Sequence, residues 1–298
     1  MKEYSEKKHV ASRVIFQQKK NSPCHQTISI WDIFSQKKPI QCKYQWSSNG
    51  DDGALIGDKY VIKLSGYNSS AEIYDKKARG LGLITPDSQI ITSKSRLWKE
   101  TVEVALKDVR YRWRNGEKIS GIDTALLMKK INGQELTNIS LDKIPKDKSV
   151  QNIFQNIGKI LVLDLYMRNY DRFGLEKYKN QLGNSEYDDP GDGKWMPWSM
   201  NEENLFINID TGKAIPIDSG SYFRGINKKK YRIYAYKLLE NNKEDIITDI
   251  INNSYFKKMF TINNKKGEEV ILKNKKIIAK NNLEIGINTA IEKLFLKK

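Results

Sequence analysis

Asp171, Asn204 and Asp218 share a chemistry and a setting: each is an oxygen donor placed where an apolar run opens into a polar loop. Asp171 follows Ile160, Leu161, Leu163, Leu165 and Met167 and stands in the cluster Asn169-Tyr170-Asp171-Arg172. Asn204 opens Leu205-Phe206-Ile207, which reads as a short buried strand, and Asp210-Thr211-Gly212-Lys213 reads as a hairpin turn. The return strand Ala214-Ile215-Pro216-Ile217 delivers Asp218-Ser219-Gly220, so a hairpin alone brings Asn204 close to Asp218, 218 − 204 = 14 positions on. Two carboxylates and an amide suit a hard cation such as magnesium, which takes one or two carboxylates and leaves its other positions to water and phosphate oxygens. Phosphoryl transfer needs one further part, a carboxylate that orients the acceptor hydroxyl. Taken singly, Asp171-Arg172 reads as a surface ion pair and the Asp-x-Gly elements as ordinary turns; their order gives them weight. Asp164 competes with Asp171, although its place among Leu163, Leu165 and Ile160 favours a structural role, and Asn201 competes with Asn204.

Asp, then Asn at the start of a hairpin, then Ile-Asp-x-Gly at its close is the order of a protein-kinase-like active site. The stretch resembles the atypical kinases related to actin-fragmin kinase and the phosphoinositide kinases. In those families a D-R element, an N-hydrophobic strand and an I-D-x-G element replace the conventional signatures. No histidine precedes Asp171, and neither D-F-G nor A-P-E occurs, so this is not the conventional protein-kinase pattern. The resemblance implies that Asp171 positions and deprotonates an acceptor hydroxyl and that Asn204 and Asp218 bind Mg²⁺. Arg172 then either stabilises charge on the transferred phosphoryl group or fixes Asp171. The interval from Phe173 to Met200 separates D-R from N, whereas the two are almost adjacent in lipid kinases. A long insertion here is a feature of the actin-fragmin-kinase-like group, and it leaves Asp171 without a fixed spacing to the asparagine.

The first half must supply the nucleotide's other contacts. Ile40 to Trp46 alternates with period two, a turn-rich run Ser47 to Gly53 follows, and Lys59 to Leu64 reads as the next strand. Ser48 and Asn49 in that turn are candidates for a lid over the nucleotide, with Asp51 and Asp52 awkward neighbours for phosphate. A helix starts at Ser69-Ser70-Ala71-Glu72, where caps are available, and stops at Gly80, with Gly82 just beyond. In the related kinases a strand lysine pairs with a helix glutamate, and Lys63 and Glu72 match those positions. The resemblance implies that Lys63 contacts the α and β phosphates of ATP while Glu72 holds its flexible stem. A plain surface pair of Glu72 with Lys76 is the alternative. Ser88 to Thr92 and Thr124 to Met128 read as strands, and Lys129 to Leu136 turns away from the second. That turn resembles a kinase hinge, which implies that the backbone of Leu127, Met128 and Lys129 contacts adenine; Lys129 stands where the family often has an acid.

The fold class expected is α+β, a two-lobed kinase-like fold with a mostly β N-lobe carrying one key helix and a mostly α C-lobe. Its divisions are an extension over 1–38, the N-lobe over 39–130 and the C-lobe over 131–298. Leu136 to Ser149 reads as a polar linker, Val150 to Met167 as a helix in which Gly158 marks close packing, and Glu100 to Lys107 as another helix. Beyond Tyr222 come the run Asn227-Lys-Lys-Lys-Tyr-Arg, helical stretches 233–240 and 245–251, and a last helix with Ile285, Ile287, Ala290, Ile291 and Leu294 on one face.

Composition bounds the partners. With 39% hydrophobic residues and six tryptophans in 298, the chain can bury a large core. Its net charge of +16, from 52 basic and 36 acidic residues, attracts anions without choosing among them. Cys24 and Cys42 make no disulfide framework, so a reducing compartment is the default, and His9 and His25 exclude histidine triads and HExxH zinc sites. No apolar run approaches the ~20 residues that cross a bilayer, and the start lacks a signal-peptide core. A soluble, cytoplasmic protein is expected, and the lysine-, asparagine- and isoleucine-rich composition also suits an effector secreted by a bacterium into a host cell. By resemblance, the donor is ATP and the acceptor a protein serine or threonine, with a phosphoinositide headgroup as the alternative. A pseudokinase, an AMP-transferring enzyme on the same fold, and a basic lipid- or nucleic-acid-binding protein complete the alternatives. Nucleic acid is disfavoured despite the patch Arg110-Tyr-Arg-Trp-Arg114, and an inositol-phosphate or anionic-lipid site on the basic C-terminal surface is a minority reading.

Overall fold

Tyr60 and Ile62 alternate with Val61 and Lys63, and only the first pair is fully buried, as a strand with one face on a core requires. This strand is part of a computed structural model that describes residues 45–47, 54–57, 60–64, 68–108, 123–144, 146–170, 172–182, 204–217, 223 and 227–297. The chain is mixed α+β and divides into two compact units, Met1–Glu72 with Pro86–Ile131 and Ile73–Thr85 with Asn132–Lys298.

The first unit is built on strands. β1 (Gln45–Ser47), β2 (Ala54–Ile56), β3 (Tyr60–Lys63), β4 (Ser88–Thr92) and β5 (Thr124–Lys129) form one sheet in the order β1-β2-β3-β5-β4, antiparallel throughout. The β2–β3 turn closes on a bond from the Gly57 N–H to the Tyr60 carbonyl at 2.8 Å. Helix α1 (Asn68–Gly80) follows β3, and its residues from Ile73 onward belong to the second unit. It stops as the glycines require: Gly82 has φ +75, the Leu83 N–H reaches the Ala78 carbonyl at 3.0 Å, and the Gly82 N–H reaches that of Arg79 at 2.9 Å. Helix α2 (Arg96–Asp108) begins a turn before the expected Glu100, because the Ser95 hydroxyl accepts from the Trp98 N–H at 3.1 Å and caps it there.

The second unit is mostly helical. Helix α3 (Asp147–Met167) is buried over most of its circumference, as a helix apolar on every side must be. β6 (Gln134–Glu135), β7 (Leu205–Asn208) and β8 (Lys213–Pro216) make a three-stranded antiparallel sheet, with β7 and β8 forming the expected hairpin. The stretch expected as a polar linker is anchored instead: Leu136, Ile139, Leu141 and Ile144 are buried around two short 3-10 turns. Helix α4 (Lys228–Asn252) runs through both stretches expected as helical and kinks at Asn242 (φ −126, ψ 16). α5 (Ser254–Met259), the hairpin of β9 (Thr261–Asn263) with β10 (Glu269–Ile271), and α6 (Lys273–Ile291) complete the unit. Leu283, Ile287 and Ala290 of α6 are buried, but Ile285 is 49% exposed, since two residues turn a helix by more than half a circle.

Gly158 is where α3 and α6 meet. A Cβ added there would lie 2.2 Å from the Leu283 carbonyl oxygen, and one added at Gly286 would lie 2.1 Å from that of Gln155. Both obstacles are backbone, so neither can swing aside. Gly158→Ala, favourable by helix propensity alone, is expected to destabilise the protein by about 1–3 kcal/mol through overpacking. Urea unfolding of wild type and variant measures this, and an unchanged midpoint would contradict the close crossing.

Candidate active site in the second unit

Arg172 is the largest fully buried side chain of the described residues, with none of its surface exposed. A guanidinium keeps its charge at any ordinary pH, so burial there demands an anion and a full set of acceptors. Its Nη1 lies 2.6 Å from both carboxylate oxygens of Asp164, itself 1% exposed near the end of α3. Its Nε donates to the Asn204 carbonyl at 2.9 Å, and its Nη2 donates to the Ile217 carbonyl at 2.7 Å. The Ile217 N–H closes the square by donating to the same Asn204 carbonyl at 3.1 Å.

Asp164 collects further donors. The Tyr74 hydroxyl of α1 donates to it at 2.6 Å, and the Asn169 amide at 3.3 Å. Burial pushes the Asp164 carboxyl above the usual aspartate value, while the Arg172 charge and the bonds from Arg172, Tyr74 and Asn169 pull it back down. The loop between Asp164 and Arg172 leaves the helix sharply. Arg168 takes a left-handed conformation, φ 57 and ψ 42, and the Asn169 N–H returns to the Asp164 carbonyl at 2.8 Å. A left-handed arginine costs about 1–2 kcal/mol. Its buried guanidinium lies 5.8 Å from the Tyr170 ring and 6.0 Å from that of Tyr231, contacts that offset the strain.

The residues expected from the sequence divide into described and undescribed positions. Asn204 is described, buried at the mouth of the hairpin. Asp171 and Asp218 lie outside the described residues, as do Asn201, Ser48 and Asn49. The chain neighbours of the two aspartates, Arg172 and Ile217, are however joined directly. Among the described residues no cluster of three or more His, Cys, Asp or Glu side chains is placed to hold a metal ion, and Asn204 is the one expected metal ligand described.

Lys63, Glu72 and the backbone of Leu127 to Lys129 are described in the first unit. Lys63 ends β3, half-buried, but the Glu72 side chain is exposed, and among the described residues no ion pair joins the two. The reason is helical phase: α1 buries Tyr74, Asp75 and Ala78, and Glu72 falls outside that face. The backbone of Leu127 to Lys129, expected to contact adenine, forms the end of β5. Leu127 and Met128 have register partners on both β3 and β4, and the Lys129 N–H donates to the Asp87 carbonyl at 2.9 Å. These main-chain groups serve the sheet, and the first ones past the last ladder pair are those of Lys130 and Ile131.

Sequence reasoning missed Tyr74. A buried aspartate in an apolar helix signals that donors must exist somewhere, yet it does not say which residue ninety positions away supplies one.

No family model matches the chain, and no curated protein matches it. Eighteen chains of solved structure match. One of them is the GDP and kanamycin complex of APH(2")-IIia, at TM-score 0.28 and 12% identity, with 89% of this chain and 95% of that one covered. A likeness that slight assigns neither activity nor ligand to this chain. No helix among the described residues is long and apolar enough to cross a membrane.

Arg172→Met would leave Asp164 buried without its cation and the Ile217 carbonyl without the guanidinium that donates to it, a loss of about 3–5 kcal/mol. Tyr74→Phe removes one bond to a charged group, about 1–3 kcal/mol. The double variant Asp164→Leu/Arg172→Met should be less destabilised than Arg172→Met alone, because no charge is then stranded. Chemical denaturation ranks the three, and an Arg172→Met variant as stable as wild type would show that the buried pair is not formed.

Proposed function

We propose that the protein is a magnesium- and ATP-dependent phosphotransferase of atypical kinase type, with a protein serine or threonine as acceptor. The observation that carries this reading is the position of Arg172. It directly follows Asp171, grips the carbonyl of Asn204, and grips the residue that directly precedes Asp218. One buried cation thus ties together the backbone beside all three side chains that phosphoryl transfer requires.

The donor set fits the ion: an amide and a carboxylate, Asn204 and Asp218, are oxygen ligands of the number and kind magnesium takes from protein. Bound magnesium would neutralise charge on the nucleotide phosphates. Asp171 would accept the acceptor hydroxyl's proton as that oxygen bonds the γ phosphorus and ADP departs. Arg172, wholly enclosed, acts as a positioning residue that sets the spacing of these groups. In the first unit, Lys63 is the cation proposed to contact the α and β phosphates. The acceptor class comes from the resemblance of Asp171-Arg172, Asn204 and Ile217-Asp218-Ser-Gly to actin-fragmin kinase.

The test is incubation with ATP labelled separately on the α and γ phosphates, in the presence of magnesium and a panel of acceptor proteins. Transfer of γ label is expected, and Asp218→Ala should reduce it by about a hundredfold or more while leaving the unfolding midpoint near wild type. Transfer of α label would mean adenylylation instead, and no transfer of either label would remove the enzymatic reading.

A further inference from the structure

Ion pairs are unevenly spread over the second unit's helices. Four ion pairs join α3, α6, the stretch of α4 beyond its kink and the 3-10 turn over Glu176–Leu182: Lys243 meets Glu284 at 3.2 Å, Lys280 meets Glu244 at 3.5 Å, Lys177 meets Asp249 at 3.1 Å and Lys275 meets Asp147 at 2.7 Å. The first three turns of α4 differ. From Lys228 to Leu239 they carry Lys228, Lys229, Lys230, Arg232 and Lys237 and no carboxylate, and among the described residues none of these cations meets one.

Aromatic rings sit under the cations instead. The Lys228 ammonium is 5.5 Å from the Phe223 ring, that of Lys230 is 5.9 Å from Tyr234, and the Arg232 guanidinium is 3.9 Å from Tyr166. A ring face orients a cation without cancelling its charge, so these groups are held in place and still attract an anion. Their position is informative as well. Arg232 Nε donates to the Tyr166 carbonyl at 3.5 Å, and Lys77 lies 5.6 Å from the same Tyr166 ring. Tyr166 is five residues ahead of Asp171, so the cationic group is anchored to the segment that leads into the proposed base.

We infer that the first three turns of α4 form an interaction surface for an acidic peptide segment, which, on the phosphotransfer reading above, flanks the acceptor hydroxyl. The spacing suits an extended chain. Lys228 and Arg232, four residues apart on a helix, are separated by about 6 Å along its axis. Alternate side chains of an extended peptide repeat at about 6.6 Å. A bilayer is served less well, because it requires an apolar stripe beside the cations. Here Tyr231, Ala235, Leu238 and Leu239 are buried, and Ile233 alone of this stretch's large aliphatic residues is exposed. Single-stranded nucleic acid requires open rings on which to stack, and two of the three rings beneath these cations, Phe223 and Tyr166, are each only 8% exposed, while Tyr234 is half-buried.

The experiment titrates a fluorescein-labelled peptide of alternating glutamate and serine with the full chain, following anisotropy at low and high salt. Salt-sensitive binding is expected, weakened at least about tenfold by Lys228→Glu/Lys229→Glu/Lys230→Glu. Acidic residues at a helix N-terminus are favourable to the helix, so this variant should fold. Lys229→Glu alone, at an exposed position, repeats the test with smaller amplitude. A control variant, Lys257→Glu/Lys265→Glu/Lys266→Glu, makes the same change of charge at exposed positions elsewhere on the unit and should bind nearly as wild type. Equal loss in both triple variants, or loss in neither, overturns the assignment. So does preferential binding of phosphatidylserine vesicles, inositol hexakisphosphate or an oligodeoxynucleotide through the same lysines. The readout needs no catalysis: absence of phosphoryl transfer would defeat the proposed function and leave this inference standing.

Discussion

A charge sealed from water must be answered within the protein, and the second unit is arranged around one such answer. Arg172 and Asp164 meet at 2.6 Å with essentially no exposed surface. Pairs of this kind contribute little net stability, because desolvation offsets most of the attraction. What they fix is geometry. Any arrangement that withdraws a partner from the guanidinium strands a charge or a carbonyl, so the loop after α3, the start of β7 and the end of β8 have one low-energy disposition. The buried pair is therefore better understood as a specification of shape than as a source of strength.

The network also reaches into α1. Tyr74 donates to the carboxylate that holds Arg172, so a helix belonging mostly to the second unit by its packing is joined to the hairpin through two side chains. The Tyr74 ring lies 5.9 Å from the guanidinium carbon, adding an aromatic face to the hydroxyl bond. Displacement of that helix would alter the donors available to Asp164 before it altered anything at Asn204 itself.

Much of this was legible in the sequence and some could not be. The β7–β8 hairpin follows from apolar runs around Asp210-Thr-Gly-Lys, β3 and β4 follow from strands containing Val61-Ile62 and Ile90-Ile91-Thr92, and β5 from the apolar run Ala125 to Met128. The structural role of Asp164 is readable from a carboxylate among leucines. Helix phase is harder. Glu72 and Asp75 are both acids on α1, and only packing decides that the second is buried and the first exposed. The sheet's use of the Lys129 N–H is a matter of register, which a single strand does not encode. Leu136 to Ser149 misled through composition: its polar residues are more numerous, but its four buried aliphatic residues decide where it goes.

The glycine crossing of α3 and α6 sets a condition on how the molecule comes into being. Asp164 rides on α3, and α3 is seated by backbone-to-backbone approach against a helix made of residues 273–291. During synthesis the loop bearing Asp171 and the β7–β8 hairpin emerge from the ribosome well before that helix does. Until it has been translated, the Gly158 face of α3 lacks the helix against which it packs. The seating of Asp164 through this crossing is thus completed only once the last helix has been made.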